Sequence, residues 1–114
     1  TEQKSEKAAP KSNTKENKKL RGDLVRERNT QTASLKKEVA ALEALIMKIE
    51  EELEIDHKAL IEASNTGESA KLMELSKLVA QKEAKVEESF EALEVAQTQL
   101  DAINAEYDAK IEEL

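Results

Sequence analysis

The chain has 114 residues, enough for one small domain. Charged residues make up 38% of it, whereas only Phe90 and Tyr107 are aromatic and the chain holds two glycines and one proline. A core of sheets and packed loops needs β-branched and aromatic residues, with glycine and proline at its turns, so this composition predicts long helices or a coiled coil instead. The absence of cysteine excludes disulfides, thiolate metal sites and cysteine nucleophiles.

The first 15 residues, TEQKSEKAAPKSNTK, are polar, rich in lysine and interrupted by Pro10. Such a segment buries too little apolar surface to offset the entropy of ordering it, so it is predicted to be a flexible basic linker. The chain has no apolar run near the roughly 20 residues that span a bilayer, and its start has no apolar segment typical of a signal peptide. We therefore expect a cytoplasmic protein without membrane contact.

From about residue 17 the sequence becomes periodic. Apolar residues spaced alternately four and three apart define a heptad, with Asp56 as the polar exception at one d position. The a positions are Val39, Ile46, Leu53 and Leu60, and the d positions before Asp56 are Leu35, Leu42 and Ile49. Extended towards the N-terminus, the same heptad places Val25 and Thr32 at a and Arg28 at d, which predicts a weaker seam there.

A second heptad follows in the C-terminal half. Its a column is wholly apolar: Leu72, Val79, Val86, Leu93, Leu100, Tyr107 and Leu114. Its d column mixes apolar, small and cationic residues: Leu75, Lys82, Ser89, Ala96, Ile103 and Lys110. Small side chains at d let two helices approach closely, and the stems of the two lysines can cover the seam while their charges reach water.

Between the heptads lies a segment in which Gly67 can adopt the positive φ that ends a helix, and Thr66 or Ser69 can cap the next one. The pattern predicts a helix over about 17–63, a turn over about 64–69 and a helix over about 70–114. A short link makes consecutive helices antiparallel neighbours, which places Leu53 near Val79. We therefore predict an all-α, two-helix antiparallel coiled-coil hairpin, monomeric, over residues 16–114; the alternative is a parallel dimer of extended chains.

The net charge of −7 is unevenly distributed. Residues 1–40 hold eleven basic and six acidic residues, whereas residues 41–114 hold seven basic and nineteen acidic ones. The basic side chains of the first helix form a candidate surface for a phosphate backbone. These candidate residues are Lys15, Lys18, Lys19, Arg21, Arg26, Arg28, Lys36 and Lys37. The alternative is a solvated helix face, partly neutralised by nearby carboxylates such as Asp23 and Asp108.

Nothing in the sequence predicts an enzyme. The chain has no phosphate-binding glycine-rich motif, and its only histidine, His57, is expected to be a surface side chain beside the seam. No catalytic residue and no metal ligand is predicted.

Several large apolar side chains fall outside the two seams. Met47, Ile55, Ile61 and Met73 are expected to be partly exposed, and Phe90 is also off the seam. Exposed apolar residues are common on protein surfaces. The other interpretation is a docking surface near the turn for a third helix, a second copy or a larger partner.

The basic linker, the segment RERNTQT at 26–32 and the segment LKKEVAALE at 35–43 together resemble the C-terminal domain of ABC-F proteins, closest to the Uup/YheS-like group. In these tandem-cassette ATPases a charged linker leaves the second nucleotide-binding domain and enters an antiparallel coiled-coil hairpin. The resemblance covers roughly residues 11–114. At the turn the chain departs from the family, since Ser64-Asn65-Thr66-Gly67 stands where many members have an Asp-Pro or aromatic-containing turn.

The resemblance implies a parent ATPase that binds ATP and Mg through cassettes outside this chain, which itself would hold no cofactor. It also implies that the hairpin helps the parent to contact DNA, ribosomal RNA or the ribosome, with a role in translation. A different class of function, a surface or scaffold coiled coil of the M-like adhesin type that binds proteins, predicts a parallel dimer or a longer rod. A hairpin from a secretion-system adaptor is a third interpretation, which the basic linker disfavours.

Overall fold

The computed structural model describes residues 15–114. This part of the chain forms two α-helices, α1 (Lys15–Thr66) and α2 (Ser69–Glu112), joined by Gly67 and Glu68, and it contains no strand. The predicted all-α helical hairpin is thereby confirmed. The predicted linker at 1–15 lies outside the described residues except for Lys15, which is the first residue of α1.

The turn is set by the backbone of Gly67, whose φ of 71° is the left-handed conformation that glycine adopts without strain. The amide of Glu68 donates to the carbonyl of Ala63 at 3.0 Å, and the amide of Gly67 faces the carbonyl of Ser64 at 3.4 Å. This pair of hydrogen bonds is the Schellman motif, which satisfies the last carbonyls of α1. The glycine predicted to end the first helix does so.

The predicted turn of about six residues is too long. Helix α1 continues through Thr66, whose hydroxyl lies 3.1 Å from the carbonyl of Glu62 and 2.7 Å from the carboxylate of Glu68. Because this hydroxyl serves the end of α1, it does not cap α2 as expected. The first intrahelical hydrogen bond of α2 runs from the amide of Leu72 to the carbonyl of Glu68, at 2.9 Å. Glu68, rather than Ser69, therefore holds the N-cap position.

The helices contribute to two compact units. One comprises the described part of Thr1–Lys37 together with Ala96–Leu114, and the other comprises Glu38–Val95, which includes the turn. In each unit a segment of α1 packs against a segment of α2. We refer to them below as the terminal unit and the turn unit.

The core of the turn unit follows the two predicted seams. Its buried residues all occupy a or d positions: Ile46, Ile49, Ala63, Val79 and Ser89. Complete burial of an isoleucine side chain contributes about 1.5–3 kcal/mol, so the two isoleucines are major apolar contributions here. The small side chain of Ser89, 3% exposed, is consistent with the close approach predicted for d positions.

The register within the turn unit differs from the predicted one. Lys82 reaches both Glu52 at 3.3 Å and Asp56 at 2.7 Å, so it lies opposite the turn of α1 that contains Leu53. The prediction placed Val79 there, about one helical turn away along α2. The prediction folded the chain about Gly67, but its pair of Leu53 and Val79 is centred on position 66, whereas the chain reverses at Gly67 and Glu68. Each residue by which the centre moves towards the C-terminus shifts the opposing residue by two.

Lys82 shows how a cation fits a seam position. Its side chain is 22% exposed, and its ammonium lies between two carboxylates of α1. The pKa of Lys82 is raised, chiefly because the ammonium donates a hydrogen bond to Asp56, with Glu52 adding to the effect. The sequence predicts that the lysine stem covers the seam while its charge reaches water. In the structure the charge instead pairs with Glu52 and Asp56.

The terminal unit has a smaller and more polar core. Its buried residues are Thr32, Ala96, Leu100 and Tyr107. Thr32 is fully buried because its hydroxyl donates to the carbonyl of Arg28 at 2.9 Å, which leaves no unsatisfied polar atom in its side chain. Lys110, predicted at a d position, remains 47% exposed, since its ammonium lies 4.7 Å above the ring of Tyr107 and 3.4 Å from Glu106.

Candidate nucleic-acid interface

The eight basic residues singled out from the sequence all lie on α1, in the terminal unit. Seven of them are exposed, and only Arg28 is half-buried. Lys15, Lys19 and Arg26 follow one another at intervals of four and seven residues, which places them on one side of the helix. Lys18 and Arg21 lie at a and d positions of the heptad, and both are exposed.

Two of the eight cations are paired with carboxylates. Arg26 pairs with Asp23 on the preceding turn of α1, and both side chains are exposed. Arg28 reaches across to Asp108 of α2 at 3.3 Å, with its own side chain 27% exposed. Exposed ion pairs contribute about 0–1 kcal/mol, so a competing phosphate can displace them at low cost.

The other six form no ion pair with the described residues 15–114: Lys15, Lys18, Lys19, Arg21, Lys36 and Lys37. The predicted neutralisation by the acidic end of α2 is therefore limited to Arg28. Of the carboxylates expected to neutralise the basic helix, Glu106 lies beside Lys110 of its own helix. The segment 15–37 thus presents eight positive charges against three negative ones, of which Asp23 already pairs with Arg26.

Side-chain hydrogen bonds to backbone carbonyls occur along the helix that presents these cations. The hydroxyls of Thr30 and Thr32 donate to the carbonyls four residues earlier, at 3.0 and 2.9 Å, which lets threonine occupy a helix interior. The side-chain amide of Asn17 donates to the carbonyl of Leu114 at 2.9 Å, so the first turn of α1 contacts the end of α2. The contact of Asn17 therefore joins the start of the basic segment to α2.

A polar cluster around Tyr107 lies next to the basic segment. The amide of Gln31 donates to the phenol oxygen of Tyr107 at 2.8 Å, and the phenol is hydrogen-bonded to Glu27. The pKa of Tyr107 is raised, first by burial of the phenol and then by the hydrogen bond and the negative charge of Glu27. Sequence reasoning missed this cluster; its one signal was a tyrosine in an otherwise aliphatic a column.

This arrangement can bind anions through charge and hydrogen bonding. Lysine and arginine side chains on an exposed helix face contact phosphates without reading sequence. Among residues 15–114, no group of three or more potential metal-binding side chains lies together, and His57 is half exposed at 3.9 Å from Glu83. Neither described helix has a stretch that is long and apolar enough to cross a membrane.

No known protein family, curated protein or solved structure matches this chain.

Proposed function

We propose that this chain is a non-catalytic accessory domain that contacts DNA or ribosomal RNA through the basic segment at 15–37, as the C-terminal domain of an ABC-F ATPase would. The observation behind the proposal is a cluster of six exposed cations on one helical segment without an ion-pair partner among the described residues. Each such cation that neutralises a phosphate releases a condensed counterion, which favours binding.

The turn unit supports the assignment of the contact to this segment. Residues 38–95 hold fifteen acidic and six basic residues, a balance of −9. That surface repels a phosphate backbone. Contact with nucleic acid is therefore expected to involve α1 of the terminal unit, whose segment 15–37 has a balance of +5.

A titration of the full chain against a labelled DNA duplex and a labelled structured RNA tests the proposal. The test variant changes Lys18, Lys19, Arg21 and Arg26 to glutamine together. We expect binding to weaken by about tenfold or more, and the slope of log K against log salt to flatten by about one unit for each phosphate that the variant no longer neutralises.

The matched control changes four exposed lysines of the turn unit to glutamine: Lys48, Lys58, Lys71 and Lys77. It removes the same number of charges and should leave binding and its salt slope close to those of the unchanged chain. Equal weakening in both variants would show a response to net charge alone, and no binding by the unchanged chain would refute the proposal.

A further inference from the structure

An open groove with a volume of about 270 Å³ lies between the two helices of the turn unit. It is lined by Glu43, Ile46, Met47, Glu50, Phe90 and Leu93. Met47 from α1 is 63% exposed and Phe90 from α2 is 47% exposed, so large apolar side chains from both helices face solvent. Because the methionine side chain is flexible and polarisable, it adapts to the shape of what it contacts.

The surroundings of this groove have one sign of charge. Heptad positions e and b are adjacent on the surface of a helix. Within residues 43–54 and 83–94 there are eight such positions, occupied by Met47, Phe90 and six exposed glutamates. The glutamates are Glu43, Glu50, Glu54, Glu83, Glu87 and Glu94. We call these eight positions the acidic face; no lysine or arginine occupies any of them.

Lysine side chains pair with carboxylates elsewhere in the turn unit but not on the acidic face. Lys82, at a d position, lies between Glu52 and Asp56. On the acidic face the only such contact among the described residues is the 3.9 Å approach of His57 to Glu83. Like charges on neighbouring turns destabilise a helix by about 0.2–0.5 kcal/mol per pair. The acidic face holds two such pairs, Glu50 with Glu54 and Glu83 with Glu87, so its charge pattern opposes folding.

We propose that the acidic face binds a basic amphipathic helix of another protein. Two large apolar side chains of that helix, spaced four residues apart, would pack between Met47 and Phe90. Flanking lysines or arginines would pair with Glu43, Glu50, Glu87 and Glu94. This is the helix-in-groove mode of recognition, with charge complementarity setting orientation. The site goes beyond the proposed contact with nucleic acid, because its charge repels phosphates.

Fluorescence anisotropy with a synthetic labelled peptide tests this site on the full chain. The peptide is a helix with leucines four residues apart on one side and lysines flanking them. Saturable binding is expected, and Met47→Ser and Phe90→Ser should each weaken it by about tenfold, as removal of an apolar anchor does. Met47 is mostly exposed and Phe90 is about half exposed, so neither substitution empties a buried core position.

Matched controls are Ile55→Ser and Val95→Ser. These residues are 67% and 58% exposed, lie in the same unit and occupy c positions away from the acidic face. Their substitution should leave peptide affinity unchanged. Equal weakening in the controls, or no binding by the unchanged chain, would overturn the proposal.

A double variant, Glu43→Gln with Glu50→Gln, tests the contribution of charge. The control double variant is Glu62→Gln with Glu74→Gln, which changes two glutamates at exposed c positions. The first pair should lower the affinity and flatten its salt dependence, and the second pair should do neither. A peptide with glutamates in place of its lysines should not bind; equal binding of that peptide would contradict charge recognition. Dimerisation in sedimentation equilibrium that Phe90→Ser abolishes would instead assign the groove to a second copy and reject the proposal.

Discussion

At the scale of single residues, Tyr107 is the most informative side chain of the described chain. It is 3% exposed, accepts a hydrogen bond from Gln31 and is hydrogen-bonded to Glu27. Burial and the neighbouring carboxylate both favour the neutral phenol, which is why its pKa is raised from the usual 10.0. The group therefore reports whether the terminal unit is packed in solution.

Tyr107 is the only tyrosine, and the chain has no tryptophan, so tyrosinate absorbance follows this residue alone. We expect a titration midpoint above 10 in the native chain, and a midpoint near 10 in concentrated guanidinium chloride. Glu27→Gln should lower the native midpoint while retaining the part due to burial. Equal midpoints in both solvents would contradict the packing of Tyr107.

The sign of the accompanying change in stability follows from linkage. A phenol whose pKa is higher in the folded state stabilises that state fully below about pH 10 and loses this contribution as pH rises through the folded pKa. Lys82, whose pKa is raised from 10.5 by Asp56 and Glu52, loses its contribution on the same alkaline side. The melting temperature of the unchanged chain should therefore fall above about pH 10, and Tyr107→Phe should reduce that fall.

At the scale of the element, the two glycines have opposite roles. Gly67 has a φ of 71° at the end of α1, whereas Gly22 lies inside α1 with an ordinary helical backbone. A Cβ at Gly67 would contact nothing within 4 Å, so a cost at that position comes from the backbone alone. A Cβ at Gly22 would meet only the tip of the Arg26 side chain, at 3.7 Å.

The same substitution should consequently change stability in opposite directions. Gly67→Ala should lower the free energy of unfolding by about 1–2 kcal/mol, the cost of the left-handed conformation for an L-residue. Gly22→Ala should raise it by about 0.8–1 kcal/mol, the difference in helix propensity. Urea titrations followed by circular dichroism measure both, and Gly67→Asn, which tolerates positive φ better, should be destabilised less than Gly67→Ala. Destabilisation in both alanine variants would contradict this account of the turn.

Heptad spacing was sufficient to predict the element types and their pairing. Every buried residue of the described chain, including the polar Thr32 and Ser89, occupies an a or d position of the two predicted heptads. Periodicity gives this result because a two-stranded seam selects positions and not residue types. Gly67 was predicted at the turn because a backbone conformation with positive φ strongly favours glycine.

The register and the helix bounds depended on contacts that spacing does not encode. Helix α1 continues to Thr66, whose hydroxyl bonds to the carbonyl of Glu62. Lys82, through its contact with Asp56, lies opposite the turn that contains Leu53. Seven of the eight basic candidates are exposed, and the pairs Arg26–Asp23 and Arg28–Asp108 depend on rotamers that spacing does not encode. The groove between Met47 and Phe90 was also missed, because it needs the true register to bring the two helices' exposed side chains together.

At the scale of the whole molecule, the net charge of −7 arises from the turn unit, whose balance is −9. Most of its glutamates are exposed, and the compact state brings them closer together than the unfolded chain does. Self-repulsion of this kind destabilises folding and is screened when the Debye length falls from about 30 Å in 0.01 M salt to about 3 Å in 1 M salt. The exposed ion pairs are weakened by the same screening, but they contribute little at any salt concentration.

Sodium chloride should therefore raise the melting temperature of the full chain between about 0.01 M and 1 M, the range over which screening becomes nearly complete. Glu87→Gln combined with Glu94→Gln removes two charges from the acidic face, so this variant should melt higher than the unchanged chain at low salt and gain less from added salt. Lys48→Gln combined with Lys58→Gln increases the negative balance and should do the reverse. A melting temperature that falls as sodium chloride is added would contradict this account. It would mean that the ion pairs around Lys82 and Arg28 outweigh repulsion among the glutamates. The acidic face would then not destabilise the folded state.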